Sequence, residues 1–261
     1  MANEIRFEDG GAYERYMGVW SQAAGATFLD WLALPHGLRW LDVGCGTGAF
    51  TEMVMDRCAP ASTTGVDPSE AQLTFARTRL ASRGAQFEIA SAMALPFGDE
   101  SFDVAVMPLV IFFVPEPAVG VAEMARVVAS GGTVAAYAWD MAGGGFPYAG
   151  VQAELRSMGF DVPRAPSADA SRLDQMQELW TNAGLVNVET REITVQRTFD
   201  DFDDYWTTIV GGASIDRSLR KLRADEVASF QERLRQRLPA SDAAGRITAS
   251  ASANAVKGRT R

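Results

Sequence analysis

The chain has 261 residues, 47% of them hydrophobic and 22% charged, enough to bury a substantial core and too apolar for a disordered protein. With 24 Lys and Arg against 33 Asp and Glu the net charge is −9, which gives no general attraction to a nucleic-acid backbone. Two cysteines, Cys45 and Cys58, and a single histidine, His36, stand in no zinc-ligand spacing and speak against both a disulfide framework and a metal site.

The stretch from Met1 to Gly11 lacks the basic and apolar regions of a signal peptide. The longest apolar run, Val104 to Val114, contains Pro108 and is too short to span a bilayer, so a cytoplasmic protein without a membrane span is expected. Tyr13 to Leu34 carries Tyr13, Tyr16, Trp20, Phe28 and Trp31 at helical spacing and stops at Pro35-His36-Gly37, which predicts one or two helices over 13–38. Strand Arg39–Val43, helix Ala49–Cys58, strand Ser62–Val66, helix Ala71–Ser82, strands Gln86–Ala90 and Phe102–Met107, helix Val119–Val128 and strand Thr133–Trp139 follow. This alternation is the pattern of βαβ units on a parallel sheet.

Beyond Trp139 the pattern breaks at Met141-Ala142-Gly143-Gly144-Gly145-Phe146-Pro147, and an irregular stretch to about Ala170 is placed to cover a site. Helix Ser171–Ala183, strand Val186–Thr198, helices Phe202–Val210 and Ala224–Leu238, and strand Arg246–Val256 complete the chain. No internal repeat is visible, and one domain is expected, with residues 39–140 and 141–261 as its two halves and a helical insertion over 200–240.

Chemistry concentrates at Leu41-Asp42-Val43-Gly44-Cys45-Gly46-Thr47-Gly48-Ala49-Phe50, a glycine-rich turn between a strand and a helix. Glycines let the backbone turn sharply and approach a ligand, and free N–H groups at the helix start are expected to attract an anion. Gly44, Gly46 and Ala49 also satisfy the GxGxxG/A dinucleotide pattern. Asp42 at the strand end would repel a pyrophosphate and welcome an ammonium, and the additional Gly48 extends the turn to Gly-x-Gly-x-Gly. Asp67, about 20 residues on at the next strand end, is placed to accept both hydroxyls of a ribose.

Together with Gly65–Ser69, Ala94–Val104 and Arg126–Gly132, the glycine turn resembles the successive motifs of class I S-adenosylmethionine-dependent methyltransferases, most closely the ubiquinone/menaquinone-biosynthesis-like small-molecule branch. The resemblance runs in order over residues 13–140. It implies a doubly wound, mostly parallel seven-stranded α/β sheet, S-adenosyl-L-methionine as cofactor and a small-molecule methyl acceptor. By position, it places Gly44, Cys45, Gly46 and Gly48 along the methionyl part, Asp42 near its amino group, Asp67 with Pro68 at the ribose, and Ser91, Ala92 and Met93 beside adenine. Met107 and Pro108 would line the pocket near the sulfonium, and Phe112 and Phe113 stand where relatives often carry a His pair.

Other candidates have a plainer reading beside the functional one. Asp42 would otherwise cap the glycine loop, and Asp67 would merely start the next helix. Tyr16 and Trp20 are either core aromatics or a lid whose rings face a sulfonium. His36 reads as a surface turn residue. Asp140 either orients the acceptor or caps its own loop; with Tyr148 it is one of two weak candidates for a base. The acidic cluster Asp200, Asp201, Asp203 and Asp204 reads as a charged helix start, and Arg217, Arg220, Lys221, Arg223, Arg233, Arg235 and Arg237 either as a solvated helix face or, in part, as a patch that attracts an anionic acceptor. Two rival functions stay open: an NAD(P)-dependent oxidoreductase, and a non-catalytic S-adenosylmethionine-binding protein.

Overall fold

The computed structural model describes residues 14–261. Tyr13, and the N-terminal stretch on which the leader reading rests, lie outside the described residues.

Seven strands, β1 (Arg39–Val43), β2 (Ser62–Asp67), β3 (Gln86–Ile89), β4 (Phe102–Pro108), β5 (Val128–Trp139), β6 (Val186–Phe199) and β7 (Ile247–Arg259), form one sheet in the order β3-β2-β1-β4-β5-β7-β6. Pairings from β3 through β5 are parallel, and β7 runs antiparallel to β5. Trp40, Leu41 and Val43 of β1 and Val104 to Met107 of β4 are at most 1% exposed, the double-sided burial that a parallel sheet with helices on both faces demands. From β1 the chain winds outward to β2 and β3, then returns to place β4 on the other side of β1. The carboxyl ends of β1 and β4 therefore flank the switch point of the sheet, where ligands of such folds bind.

The helices are α1 (Val19–Leu32), α2 (Ala49–Cys58), α3 (Glu70–Arg79), α4 (Pro117–Val127), α5 (Ala149–Ser157), α6 (Leu173–Asn182), α7 (Phe202–Val210), α8 (Ala213–Leu219) and α9 (Ala224–Arg237). Their ends follow local chemistry. Ser69 caps α3 by accepting from Gln72 N, Pro117 opens α4 where a missing N–H costs nothing, and Asp201 caps α7 by accepting from Asp204 N at 2.8 Å. The acidic cluster is thus a helix start. None of the helices among the described residues is long and apolar enough to cross a membrane.

Two helices lie where the sequence reading placed none, and β5 begins at Val128, ahead of the expected Thr133. The segment 141–170, expected to be irregular, contains α5 and a 3-10 turn at Ala168–Ser171. Its nine-residue helix, buried through Val151, Glu154 and Leu155, is too short and too closely flanked by glycine and proline for its period to be read. The short α8 was likewise hidden behind Gly211-Gly212.

Contacts divide the chain into two compact units. The sheet unit comprises Ala24–Gly143, Ala165–Ile193 and Ala253–Arg261. Its aromatic centre is Phe28, Phe50 and Tyr137, with Phe28 and Tyr137 4.7 Å apart between ring centroids. The helical unit comprises the described residues up to Ala23, Gly144–Arg164 and Thr194–Ser252, and is centred on Tyr16, Trp20, Tyr148, Phe199 and Tyr205.

Candidate functional site

Gly44, Gly46 and Gly48 turn the chain from β1 into α2 with φ of +78°, +53° and +78°, the left-handed region that side chains avoid. Space around the three differs. A Cβ on Gly44 would come within 2.5 Å of Val110 and one on Gly48 within 3.1 Å of Ala76, whereas one on Gly46 meets nothing within 4 Å among the described residues. Gly44 and Gly48 let the protein pack on itself, and Gly46 is the point at which the turn stands open.

The expectation of free N–H groups needs correction. Gly44 and Cys45 donate to Val66 O, Gly48 donates to Cys45 O, and Gly46 donates to Asp67 Oδ2 at 3.0 Å. Four amides that would cradle an anion are spent within the chain, and two carboxylates flank the turn. That surrounding disfavours a phosphate and favours a positive group.

Asp42 is 1% exposed. Its Oδ2 accepts the Thr51 hydroxyl at 2.6 Å, while Oδ1 is sealed from solvent with no partner among the described residues. Burial pushes the carboxyl up to about 7; the Thr51 hydrogen bond opposes the rise, and the charge of Asp67 adds to it. Asp42 does not cap the glycine loop by its side chain, since its partner lies on α2. An unsatisfied oxygen on a buried acid costs free energy, and a charged donor brought to it recovers that cost.

Asp67, half-buried at the end of β2, accepts from Gly46 N with one oxygen and from Ser69 N at 2.9 Å with the other. Burial raises its pKa, against the two backbone donors. It both staples the turn and starts α3, and each oxygen keeps a lone pair for a diol. Pro68 beside it is exposed. Further along, Ser91 Oγ accepts from Met93 N at 3.2 Å, which leaves Ala92 N–H as the open donor of that pair. Met93 and Ala92 are partly exposed.

Met107 is fully buried. A Cβ on Gly120 would lie 3.7 Å from its methyl, so Met107 seats α4 on the sheet. Pro108 is buried as the last residue of β4. After it comes a feature that no sequence signal marks: Leu109 takes φ +60° and donates to Tyr137 O at 2.7 Å, which throws Val110 against Gly44. Phe112 is buried and Phe113 is 39% exposed, their rings 4.5 Å apart. Cys45 is buried with its sulfur against Gly65, and burial pushes its thiol up, so it serves packing. Among the described residues no cluster of His, Cys, Asp and Glu could hold a metal ion.

Comparison with known proteins bears on the same residues. A family model described as methyltransferase domain matches residues 41–136. The uncharacterized protein Rv1405c of Mycobacterium tuberculosis is 30% identical over 208 residues, 72% of this chain and 75% of the relative. A ubiquinone biosynthesis O-methyltransferase of Aromatoleum aromaticum is 37% identical over 112 residues, 41% of this chain and 47% of the relative. The fold is shared with the structure of phosphoethanolamine N-methyltransferase 2 of Haemonchus contortus in complex with S-adenosyl-L-methionine, at TM-score 0.57, 17% identity, and coverage of 96% of this chain and 56% of that one. The chain belongs to the class I S-adenosylmethionine-dependent methyltransferases. The oxidoreductase reading of the glycine pattern is thereby set aside.

Remaining candidates of the methyltransferase fall into place by their contacts. Tyr16 lies in a π-helical turn, Glu14–Gly18, ahead of α1, and its ring stacks on Tyr148 at 4.3 Å. Tyr148 is fully buried; its hydroxyl donates to Tyr16 O at 2.8 Å and accepts from Trp20 Nε1 at 3.1 Å. Burial pushes this phenol up to about 12. With both roles of its oxygen taken, Tyr148 is poorly suited to be a base, and it holds the helical unit together. Trp20 is 1% exposed and a core aromatic. Asp140 Oδ1 accepts from Gly143 N at 2.8 Å, which makes it a cap for its own loop. His36 is exposed in its turn.

Proposed function

We propose that this methyltransferase transfers the methyl group of S-adenosyl-L-methionine directly to a small-molecule acceptor, with the whole chain acting as one enzyme in the cytoplasm and no nucleic acid as partner. The observation that carries the reading is Asp42 Oδ1, a buried carboxylate oxygen without a partner among the described residues, at the strand end that leads into the turn where Gly46 stands open. An α-ammonium group supplies the missing donor, and the spent amides of the turn argue against a pyrophosphate. Asp67 would accept the ribose hydroxyls, Ala92 N–H would donate to an adenine nitrogen, and Met93 would pack on the ring. The names of relatives, including the ubiquinone/menaquinone biosynthesis C-methyltransferase of Paracoccus denitrificans, support a small acceptor.

When bound, the cofactor supplies an electrophilic methyl carbon on a sulfonium. The chain's task is then to hold a nucleophile in line and to exclude water, and positioning alone lowers such a barrier by several kcal/mol. Val110 and Phe112 offer an apolar wall for that purpose. No side chain is assigned as general base, since Tyr148 and Asp140 are both engaged within the chain.

Calorimetric titration with S-adenosylmethionine and with S-adenosylhomocysteine tests the reading. Both are expected to bind, and Asp42→Ala is expected to weaken binding by about 10- to 100-fold, the loss of one charged hydrogen bond. Absence of binding to the folded protein overturns it. A screen of small acceptors with labelled cofactor then separates an enzyme from a protein that only binds the cofactor.

A further inference from the structure

A threonine inside a helix commonly spends its hydroxyl on the carbonyl four residues back, as Thr74 does on Glu70 O, Thr78 on Thr74 O and Thr181 on Gln177 O. Thr51, fully buried in the first turn of α2, does otherwise. Its hydroxyl reaches nine residues back across the glycine turn to Asp42 Oδ2 at 2.6 Å, a length typical of a hydroxyl on an ionised carboxylate. Both residues belong to the sheet unit, as do the other groups that bear on Asp42. Burial and the charge of Asp67 at the end of β2 oppose ionisation of Asp42, and the Thr51 hydrogen bond favours it. The Cys45 thiol in the turn is held neutral by its own burial, and no arginine or lysine is paired with Asp42 among the described residues. Thr51 is therefore the side chain that supports the anion, and by occupying Oδ2 it leaves Oδ1 unpaired.

We propose that, within the methyltransferase reading above, Thr51 is a positioning residue for the cofactor: its hydroxyl holds Asp42 Oδ2 so that Oδ1 stays unpaired for the α-ammonium group of S-adenosyl-L-methionine. It acts through Asp42 and takes no part in the transfer itself.

The test is calorimetric titration of the full chain with S-adenosylhomocysteine, which carries the same ammonium, at pH 6, 7 and 8.5. Thr51→Val keeps the shape and removes the donor. It is expected to weaken binding about 10-fold at pH 6, the low end for a hydrogen bond to a charged group, and by less than about 3-fold at pH 8.5, where Asp42 is ionised in both proteins. The ligand's own titration cancels in that ratio, whereas a merely structural loss weakens binding by one factor at every pH. Thr51→Ser, which keeps the hydroxyl, is expected to stay within about 2-fold of the wild type throughout. Equal affinity of Thr51→Val and wild type, a ratio that does not narrow as pH rises, or a Thr51→Ser that binds as weakly as Thr51→Val overturns the proposal. Should Thr51→Val not fold, a crystal structure of the wild type with S-adenosylhomocysteine decides: the Thr51 hydroxyl is expected to remain on Asp42, and a bond broken in the complex overturns the assignment. Failure of the folded wild type to bind at any pH overturns the methyltransferase reading and this proposal with it, while the outcomes above overturn this proposal alone.

Discussion

Thr51, in the first turn of α2, donates its hydroxyl to Asp42 Oδ2 at 2.6 Å, a hydrogen bond that joins the end of β1 to the helix across the glycine turn. Thr51→Val keeps the shape and removes the donor, leaving Asp42 with neither oxygen satisfied by a side chain. A loss of about 1–3 kcal/mol is expected, read by urea denaturation, and Thr51→Ser is expected to restore most of it.

The pH dependence follows from the same residue. Asp42 is pushed up to about 7 in the folded protein from an ordinary value of 3.8. Between those values the unfolded chain has released the proton and the folded chain retains it, so stability falls as pH rises from 4 to 7 and levels off above. The full loss is on the order of 4 kcal/mol. Denaturation midpoints measured across this range should fall in the wild type and stay flatter in Asp42→Asn. An ammonium ligand favours the ionised carboxylate, so cofactor affinity should rise with pH up to about 7 and proton release should accompany binding below it.

Glycine substitutions should separate packing from ligand approach. Gly48→Ala brings a Cβ within 3.1 Å of Ala76 in a left-handed conformation, and a destabilisation of about 2 kcal/mol is expected by thermal melting. Gly46→Ala carries the backbone strain alone, about 1 kcal/mol, and its main effect should be on S-adenosylmethionine binding measured by calorimetry.

In the helical unit, Glu154 on α5 is 3% exposed and accepts from Arg237 Nε of α9 at 3.1 Å. Arg233 Nε lies 2.8 Å from the other oxygen but off the hydrogen-bond direction, so that pair is a charge contact. Both arginines are about half exposed and regain water when the acid is removed, which limits the cost of Glu154→Ala to about 1–2 kcal/mol. Hydrogen exchange should show the loss as faster exchange in α9 with the sheet unit unchanged.

Local signals in the chain located the glycine turn, Asp42 and Asp67, and reproduced β1 and α2 to the residue, because turn chemistry and the spacing of apolar positions act over a few neighbours. They reached α5 only as irregular sequence and left α8 unassigned between two helices of the expected insertion, since helices of nine and seven residues hold too few periods to be told from loops.

Tertiary structure alone decided what each polar atom meets. The turn amides are consumed by Val66, Cys45 and Asp67, Asp42 keeps one oxygen without a partner among the described residues, and the Tyr148 hydroxyl is taken by residues 128 and 132 positions away. The left-handed Leu109 that aims Val110 has no marker in its neighbourhood of the chain. Residue order determines which groups can donate, accept or bend, through forces that fade within a turn of backbone. Whether a given group ends up paired depends on a partner that only the folded chain brings within 3 Å or so.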